Sequence, residues 1–262
     1  MQFYLMANLL KKIHNYPPFV VNAIKSAAYS FYKISEKILQ PPFDKYDFQT
    51  FDLIRKILPD NANCIDVGAH KAYILKKIIE KSPKGKHFAF EPIPWLYKDL
   101  QKKYGKKASI FDIAVSNERG ESDFNVFGDR PAVSGLKKRE FTEDYKLEKI
   151  RVKVDTLDNI IPDDVPIQLI KIDVEGAELQ VLQGAVNILK RNKPLVIFEF
   201  GLGGADIYGT TPESVFDFFE NLGLSISILE YYLKNKEPFN REEFIGQYEK
   251  GYNYFFIVYN HV

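Results

Sequence analysis

The stretch Asn63–Glu91, NCIDVGAHKAYILKKIIEKSPKGKHFAFE, decides how this chain is read. Cys64, Ile65 and Val67 make a short apolar run interrupted by Asp66, which ends at Gly68-Ala69, and a helical pattern starts at once. A second run, Lys86 to Phe90, stops at Glu91 before Pro92. Strand, tight turn, helix and a second strand closed by an acid follow the spacing of a βαβ mononucleotide-binding unit, with Glu91 placed to accept from ribose hydroxyls. Gly68 carries no Cβ to obstruct a chain reversing beside a ligand, and Asp66 is placed to receive a cationic amine. A dinucleotide fingerprint needs paired glycines before a helix, and this chain offers Gly68 and Ala72. An acid just before the turn repels phosphate and attracts an ammonium group such as that of a methionine moiety. The bland reading is a structural α/β turn with no ligand.

Length and composition suit one well-filled α/β domain with appendages: 262 residues, formal net charge +1 and 45% hydrophobic residues. The near-neutral charge gives no reason to expect nucleic acid as a partner. Cys64 is the single cysteine, so no internal disulfide forms. No Cys/His spacing suits zinc, so no structural zinc is expected and no metal cluster is evident, although acids close together at the strand ends could hold Mg²⁺ with substrate hydroxyls. A reducing, cytoplasmic setting follows, with Cys64 as a small buried strand residue.

Residues 1–45 are expected to form an N-terminal helical extension, and residues 46–262 the main α/β domain. The boundary falls at Gln40-Pro41-Pro42-Phe43, where two prolines end a helix. Within residues 1–39, aromatics such as Phe3, Tyr4, Phe31 and Tyr32 interleave with Lys11, Lys12, Lys25, Lys33 and Lys37. That pattern suits packing on the same domain, a homodimer contact, or peripheral contact with a membrane.

Further along, Asp47 to Leu58 has helical periodicity, and Pro94 to Tyr104 is a helix opened by proline. Ala108 to Val115 reads as one strand whose end lies near a bound base, so Asp112 or Ile113 is placed to meet an adenine, with a solvated strand-end acid as the alternative reading of Asp112. Gly120 to Ile150 is polar and too long for a simple crossover, which suggests a gating loop. Arg151 to Leu157 alternates as a half-exposed strand. Leu169, Ile170 and Ile172 form a buried strand with Asp173 at its carboxyl end, and a helix is expected to open with Glu175, Gly176 and Glu178 in its first turn. Asp173 reads either as a helix N-cap or as a ligand-binding acid. Ligands of open parallel sheets bind at strand carboxyl ends, where Lys171, Asp173 and Glu175 converge with Asp66 and Glu91. Leu195 to Phe200 and Ser225 to Leu229 are further strands, Thr211-Pro212-Glu213 starts a helix, and Tyr252 to Tyr259 is the last strand. The residues before that last strand suit an antiparallel return or an active-site flap.

Taken together, Ile65-Asp66-Val67-Gly68-Ala69, Phe90-Glu91-Pro92, Ala114-Val115-Ser116-Asn117, Val154-Asp155-Thr156-Leu157-Asp158 and Leu169-Ile170-Lys171-Ile172-Asp173-Val174-Glu175-Gly176-Ala177-Glu178 resemble the FkbM family of S-adenosylmethionine-dependent methyltransferases. The resemblance covers about Phe51 to Phe200. It implies an α/β class I methyltransferase (Rossmann-like) fold: a mostly parallel seven-stranded sheet, last strand antiparallel, with helices on both faces. It also implies S-adenosyl-L-methionine as cofactor and O-methylation of a sugar, glycan or polyketide hydroxyl on a small-molecule or glycan acceptor. Asp66, Gly68, Ala69, Glu91, Asp112, Ile113 and Asp173 are the expected cofactor-binding residues, and Asp173, Glu175 and His70 the expected catalytic ones, with Glu199 a further candidate base. His70 and Ala72 stand where the family loop usually has asparagine and glycine. The rival readings are a Rossmann-like binding module that has lost its cofactor, a nicotinamide-dependent oxidoreductase and a membrane-associated scaffold.

Overall fold

A computed structural model describes residues 44–139 and 146–261. The expected extension over residues 1–45 therefore lies almost wholly outside the described residues. Among those described, a first helix, α1 (Lys45–Ile57), leads to strand β1 (Asn63–Val67), helix α2 (Tyr73–Lys81), strand β2 (His87–Phe90), helix α3 (Pro94–Tyr104) and strand β3 (Ser109–Phe111). After β7 (Ile167–Ile172) and β8 (Leu195–Glu199), the sheet is completed by β9 (Ser225–Ser227) and β10 (Phe255–Tyr259). The strand order is β3-β2-β1-β7-β8-β10-β9, parallel except for β10, which runs antiparallel to both neighbours. A mostly parallel seven-stranded sheet with its last strand antiparallel is what the resemblance implied.

Alternation along the strands places the two cores. Ile65, Val67, Ile170, Ile172, Val196 and Phe198 face one layer, while Cys64, Leu169 and Ile197 face the other with Leu53 and Ile54 of α1 and Ile74 and Ile78 of α2. A strand buried on both faces must be apolar throughout, which is why β1, β7 and β8 read as near-continuous hydrophobic runs. Asp66 and Lys171, directly paired between β1 and β7, are exceptions in that setting.

Four expectations need correction. The strand expected over Ala108–Val115 breaks at Asp112: β3 joins the main sheet, while β4 (Ile113–Val115) turns into a separate three-stranded sheet. Gly120 to Ile150, expected as a gating loop, instead contributes two strands: β5 (Gly120–Phe127) pairs antiparallel along its whole length with β6 (Leu147–Asp155), giving the smaller sheet the order β4-β6-β5. Their outward faces are charged, with Arg151 pairing Glu121 and Asp123, so the polar composition disguised a two-stranded arm. The helix after β7 starts at Glu178, as α4 (Glu178–Gln183), because Glu175 and Gly176 both take positive φ and cannot continue a right-handed turn. Between β9 and β10 the chain folds into helices α5 (Leu229–Leu233) and α6 (Arg241–Glu249) instead of a flap. The latter opens with a capping box in which Asn240 and Glu243 satisfy each other's backbone donors. Among the described residues no helix is long and apolar enough to cross a membrane.

Candidate active site

The site lies at the carboxyl ends of β1, β2, β7 and β8. A cleft of ≈ 540 Å³ is lined by Gly68, His70, Glu91, Ile93, Ile113, Asp173 and Glu175, together with Phe124, Pro131 and Leu136 from the smaller sheet and its loop. Its floor is the turn after β1. The N–H groups of Gly68 and Ala69 both donate to the Phe90 carbonyl, at 3.1 and 3.0 Å, which ties this turn to β2. Gly68 sits at φ +77°, and a Cβ there would lie 1.8 Å from the Asp173 carbonyl oxygen. Its missing side chain therefore makes room for the neighbouring strand's end, where ligand access had been the expectation.

Glu91 is buried at the cleft wall. Its Oε2 accepts from the His70 N–H at 2.8 Å and its Oε1 from the Ile93 N–H at 2.9 Å. Burial pushes its carboxyl up to about 7, against the pull of those two donors. His70 occupies the left-handed region at φ 47°, and burial holds its imidazole below the usual histidine range, in the neutral form. Its Nε2 is buried with no partner among the described residues. A buried polar atom facing a cleft is costly unless a ligand or water completes it. Ala72, also left-handed at φ 60°, is the residue before α2 and is fully buried.

The remaining cofactor candidates divide. Ile113 lines the cleft, whereas Asp112 sits exposed at the strand break and does not. Ala69 is buried beneath the turn and does not line it. Asp66 does not line it either, and its expected contact with a ligand amine has to be revised. It is 2% exposed, its Oδ2 accepts from the Leu75 N–H at 3.1 Å in the first turn of α2, and burial raises it to about 6 although Lys171 lies close. There it meets the positive end of that helix from below.

Asp173 follows β7, its N–H bound to the Val67 carbonyl at 3.0 Å. It does not cap the helix, since Ala177 holds that position. Burial opposes its ionisation, but the Lys171 ammonium, 2.5 Å from Oδ2, and a hydrogen bond with Glu199 hold it below the usual carboxylate range. Glu199, at the end of β8, is pushed well above its ordinary value by burial and by Asp173 and Glu175, so it is the proton-carrying partner of the pair. Lys171 stays charged because Asp173 and Asp66 outweigh its burial. Glu178 accepts with Oε1 from the Val174 and Gly176 N–H groups, at 3.0 and 3.1 Å, and so shapes the loop between β7 and α4.

Glu175 is held at φ 61°. Backbone strain of this kind persists only where the surroundings over-determine it. Its carboxylate pairs with Arg139, which stands on the loop after β5. Burial raises Glu175 to about 8, with Asp173 adding to that and Arg139 opposing it. On its far side lies a second cavity, of ≈ 800 Å³, lined by Arg139, Glu199, Phe200, Leu202, Tyr248, Asn253 and Tyr254. Glu175 is the residue common to the linings of both cavities.

Carboxylate oxygens of Asp173, Glu175 and Glu199 come within 4.8 Å of one another, a gathering of acids at the strand ends that the sequence led one to expect. Lys171 and Arg139 already supply positive charge to that cluster, so no metal is assigned to it. Sequence reasoning missed Arg139 and the tyrosines of the second cavity. Only folding brings Arg139 to Glu175, and no motif surrounds either it or Tyr248.

Residues 66–225 match the family described as Methyltransferase FkbM domain. Over 200 residues the chain is 26% identical to methyltransferase sdnD of Sordaria araneosa, covering 64% of this chain and 75% of that protein. Among solved structures it is similar to methyltransferase FkbM from Methylobacillus flagellatus KT, at 15% identity and a TM-score of 0.46 over 77% of this chain; it spans 44% of that protein. It is also similar to a SAM-dependent methyltransferase from Aquifex aeolicus, at 13% identity and a TM-score of 0.42, covering 85% of this chain and 95% of that one.

Proposed function

The chain belongs to the FkbM methyltransferase family, and we propose that it methylates a hydroxyl of a sugar, glycan or polyketide-like small molecule, with S-adenosyl-L-methionine in the first cleft and the acceptor in the second. The observation that carries this reading is the position of Glu175 between the two cavities. A transfer enzyme needs one group that reaches both reactants.

The residues of the first cleft fit the cofactor. Glu91 retains acceptor capacity toward ribose hydroxyls beside its two backbone donors, Ile113 offers an apolar wall to a base, and the orphaned His70 Nε2 awaits a polar group. The cofactor supplies a methyl group already activated on a sulfonium. The protein must then align the acceptor oxygen behind it and take its proton. With that chemistry supplied, the Glu175 carboxylate would take the proton of the acceptor hydroxyl. Alignment supplies much of the rate, and such a base adds roughly a hundredfold to ten-thousandfold. Asp173, ionised against Lys171 and bound to protonated Glu199, keeps a fixed negative charge beside that base.

In the second cavity, Phe200 and Tyr248 are buried and stacked on each other at 4.7 Å, backing the wall, while Tyr254 is exposed, so an acceptor meets aromatic surface at Tyr254 and carboxyls at Glu175 and Glu199. Calorimetric titration with S-adenosylmethionine and S-adenosylhomocysteine tests the first cleft: binding is expected in wild type and weaker binding in His70→Ala. Transfer of labelled methyl to a panel of hydroxylated sugars and phenols tests the second. No binding of either cofactor form would leave the binding-module reading in its place.

A further inference from the structure

Arg139 and Glu175 are 36 residues apart and belong to different parts of the fold, one on the loop that leaves the three-stranded sheet, the other in the strained turn after β7. Their side chains are only 22% and 14% exposed. The turn that carries Glu175 is fitted closely to its surroundings: a Cβ at Gly176 would lie 2.3 Å from the Gly204 carbonyl oxygen. The loop carrying Arg139 is anchored independently of the ion pair, because the Lys137 N–H donates to the Tyr208 hydroxyl at 2.8 Å and the Lys137 ammonium to the Ile207 carbonyl at 3.2 Å. Both partners are thus held by other contacts, and their meeting is built into the scaffold.

The contact is made by Nη1 of Arg139 to Oε2 of Glu175. We propose that Arg139 is a positioning residue for methyl transfer, holding one oxygen of Glu175 so that the other is presented where the two cavities meet. This rests on the reading of Glu175 as the proton acceptor. A partly buried ion pair both orients a carboxylate and favours its ionised form. The other groups around Glu175 work the opposite way or are already committed. Asp173, Glu178 and Glu199 are acids, Lys171 is paired with Asp173, and the Tyr208 hydroxyl is engaged by the backbone of Lys137. Among the described residues, Arg139 is therefore the cation that directly pairs with Glu175. Without it, Glu175 would stay protonated further into the alkaline range and could not accept.

The test needs neither acceptor nor cofactor. The full chain, labelled with ¹³C at glutamate side-chain carboxyls, is titrated by NMR, with Glu175→Gln used to assign the Glu175 signal. The expected midpoint of Glu175 is higher in Arg139→Gln than in wild type by roughly one pH unit, the size of shift a neighbouring cation produces. Arg139→Lys should fall between the two, since a point-charge ammonium replaces a planar fork. S-adenosylhomocysteine affinity should stay within about twofold of wild type, because Arg139 lines the second cavity and not the first. An unmoved midpoint in folded Arg139→Gln overturns the proposal. Should that variant not fold, Arg139→Lys decides: a midpoint above wild type supports it and one equal to wild type overturns it. A displaced midpoint in a protein that binds no cofactor would remove the methyltransferase reading and leave the Arg139–Glu175 coupling standing.

Discussion

The Lys171 ammonium lies 2.5 Å from Oδ2 of Asp173, with the lysine side chain 8% exposed and the aspartate 29%. The two residues flank Ile172 at the end of β7, and the same lysine faces Asp66 on β1. One buried cation thus serves two acids, one under the site and one within it. Removing one partner of a buried pair leaves a charge without compensation. Lys171→Met should destabilise the protein by roughly 3–5 kcal/mol at pH 7 in urea denaturation. The loss should shrink on acidification. Asp173 is held below its ordinary value, so its contribution is present above the unfolded pKa of 3.8 and fades as pH falls through the lower folded value. A pH-independent loss would mean that Lys171 acts by packing alone.

Gly68 meets the Asp173 carbonyl so closely that a methyl group cannot be placed there without moving one strand. Gly68→Ala combines that collision with an unfavourable positive φ, and should cost at least about 2 kcal/mol of stability. Hydrogen exchange should report the loosening first at the Asp173 N–H, which bonds the Val67 carbonyl. A fully stable Gly68→Ala protein would contradict the close approach described for this turn.

Glu178 is 2% exposed and burial lifts its carboxyl from the ordinary 4.5 to about 7. The folded state therefore binds this proton more tightly than the unfolded chain does. Stability contributed by the protonated form is lost as pH rises from about 4.5 to about 7, and is level above that. Glu178→Gln keeps an acceptor for the Val174 and Gly176 N–H groups while removing the ionisation. At pH 8 it should be more stable than wild type by up to roughly 3 kcal/mol, with a smaller difference at pH 4.5. Chemical denaturation at the two pH values decides, and an unchanged pH dependence would place the titration elsewhere.

Glu175, raised to about 8, acts as a base only once ionised, so methyl transfer should climb with pH and level off near that value. Glu175→Gln should lose roughly a hundredfold or more in single-turnover transfer and should lack that limb. Wild-type rates in the variant would move the proton acceptor to Asp173, His70 or Glu199.

The parts of the site that were legible in the sequence are those held by local pattern. The βαβ unit, the acid closing β2 and the strand leading to Asp173 follow from apolar runs and turn residues within a few positions of one another, because strand and helix periodicity are short-range properties. What lay outside that range was misread for physical reasons. The charged faces of β5 and β6 looked like a loop, since a half-exposed arm has too few apolar positions to announce its pairing. Helix formation was placed too early after Asp173, because a left-handed Glu175 has no composition signal.

By itself, then, the order of residues determined where the strands of the main sheet lie, that this sheet would be largely parallel, and that acids would gather at its carboxyl edge. Only the tertiary structure decided what each acid does there. Asp66 was turned inward to a helix end, Glu91 was bound by backbone donors, and Glu175 was set against Arg139 between two cavities. The reason is that a carboxylate's role depends on its burial and on which donors and cations surround it, and those neighbours come from segments that are remote in the chain.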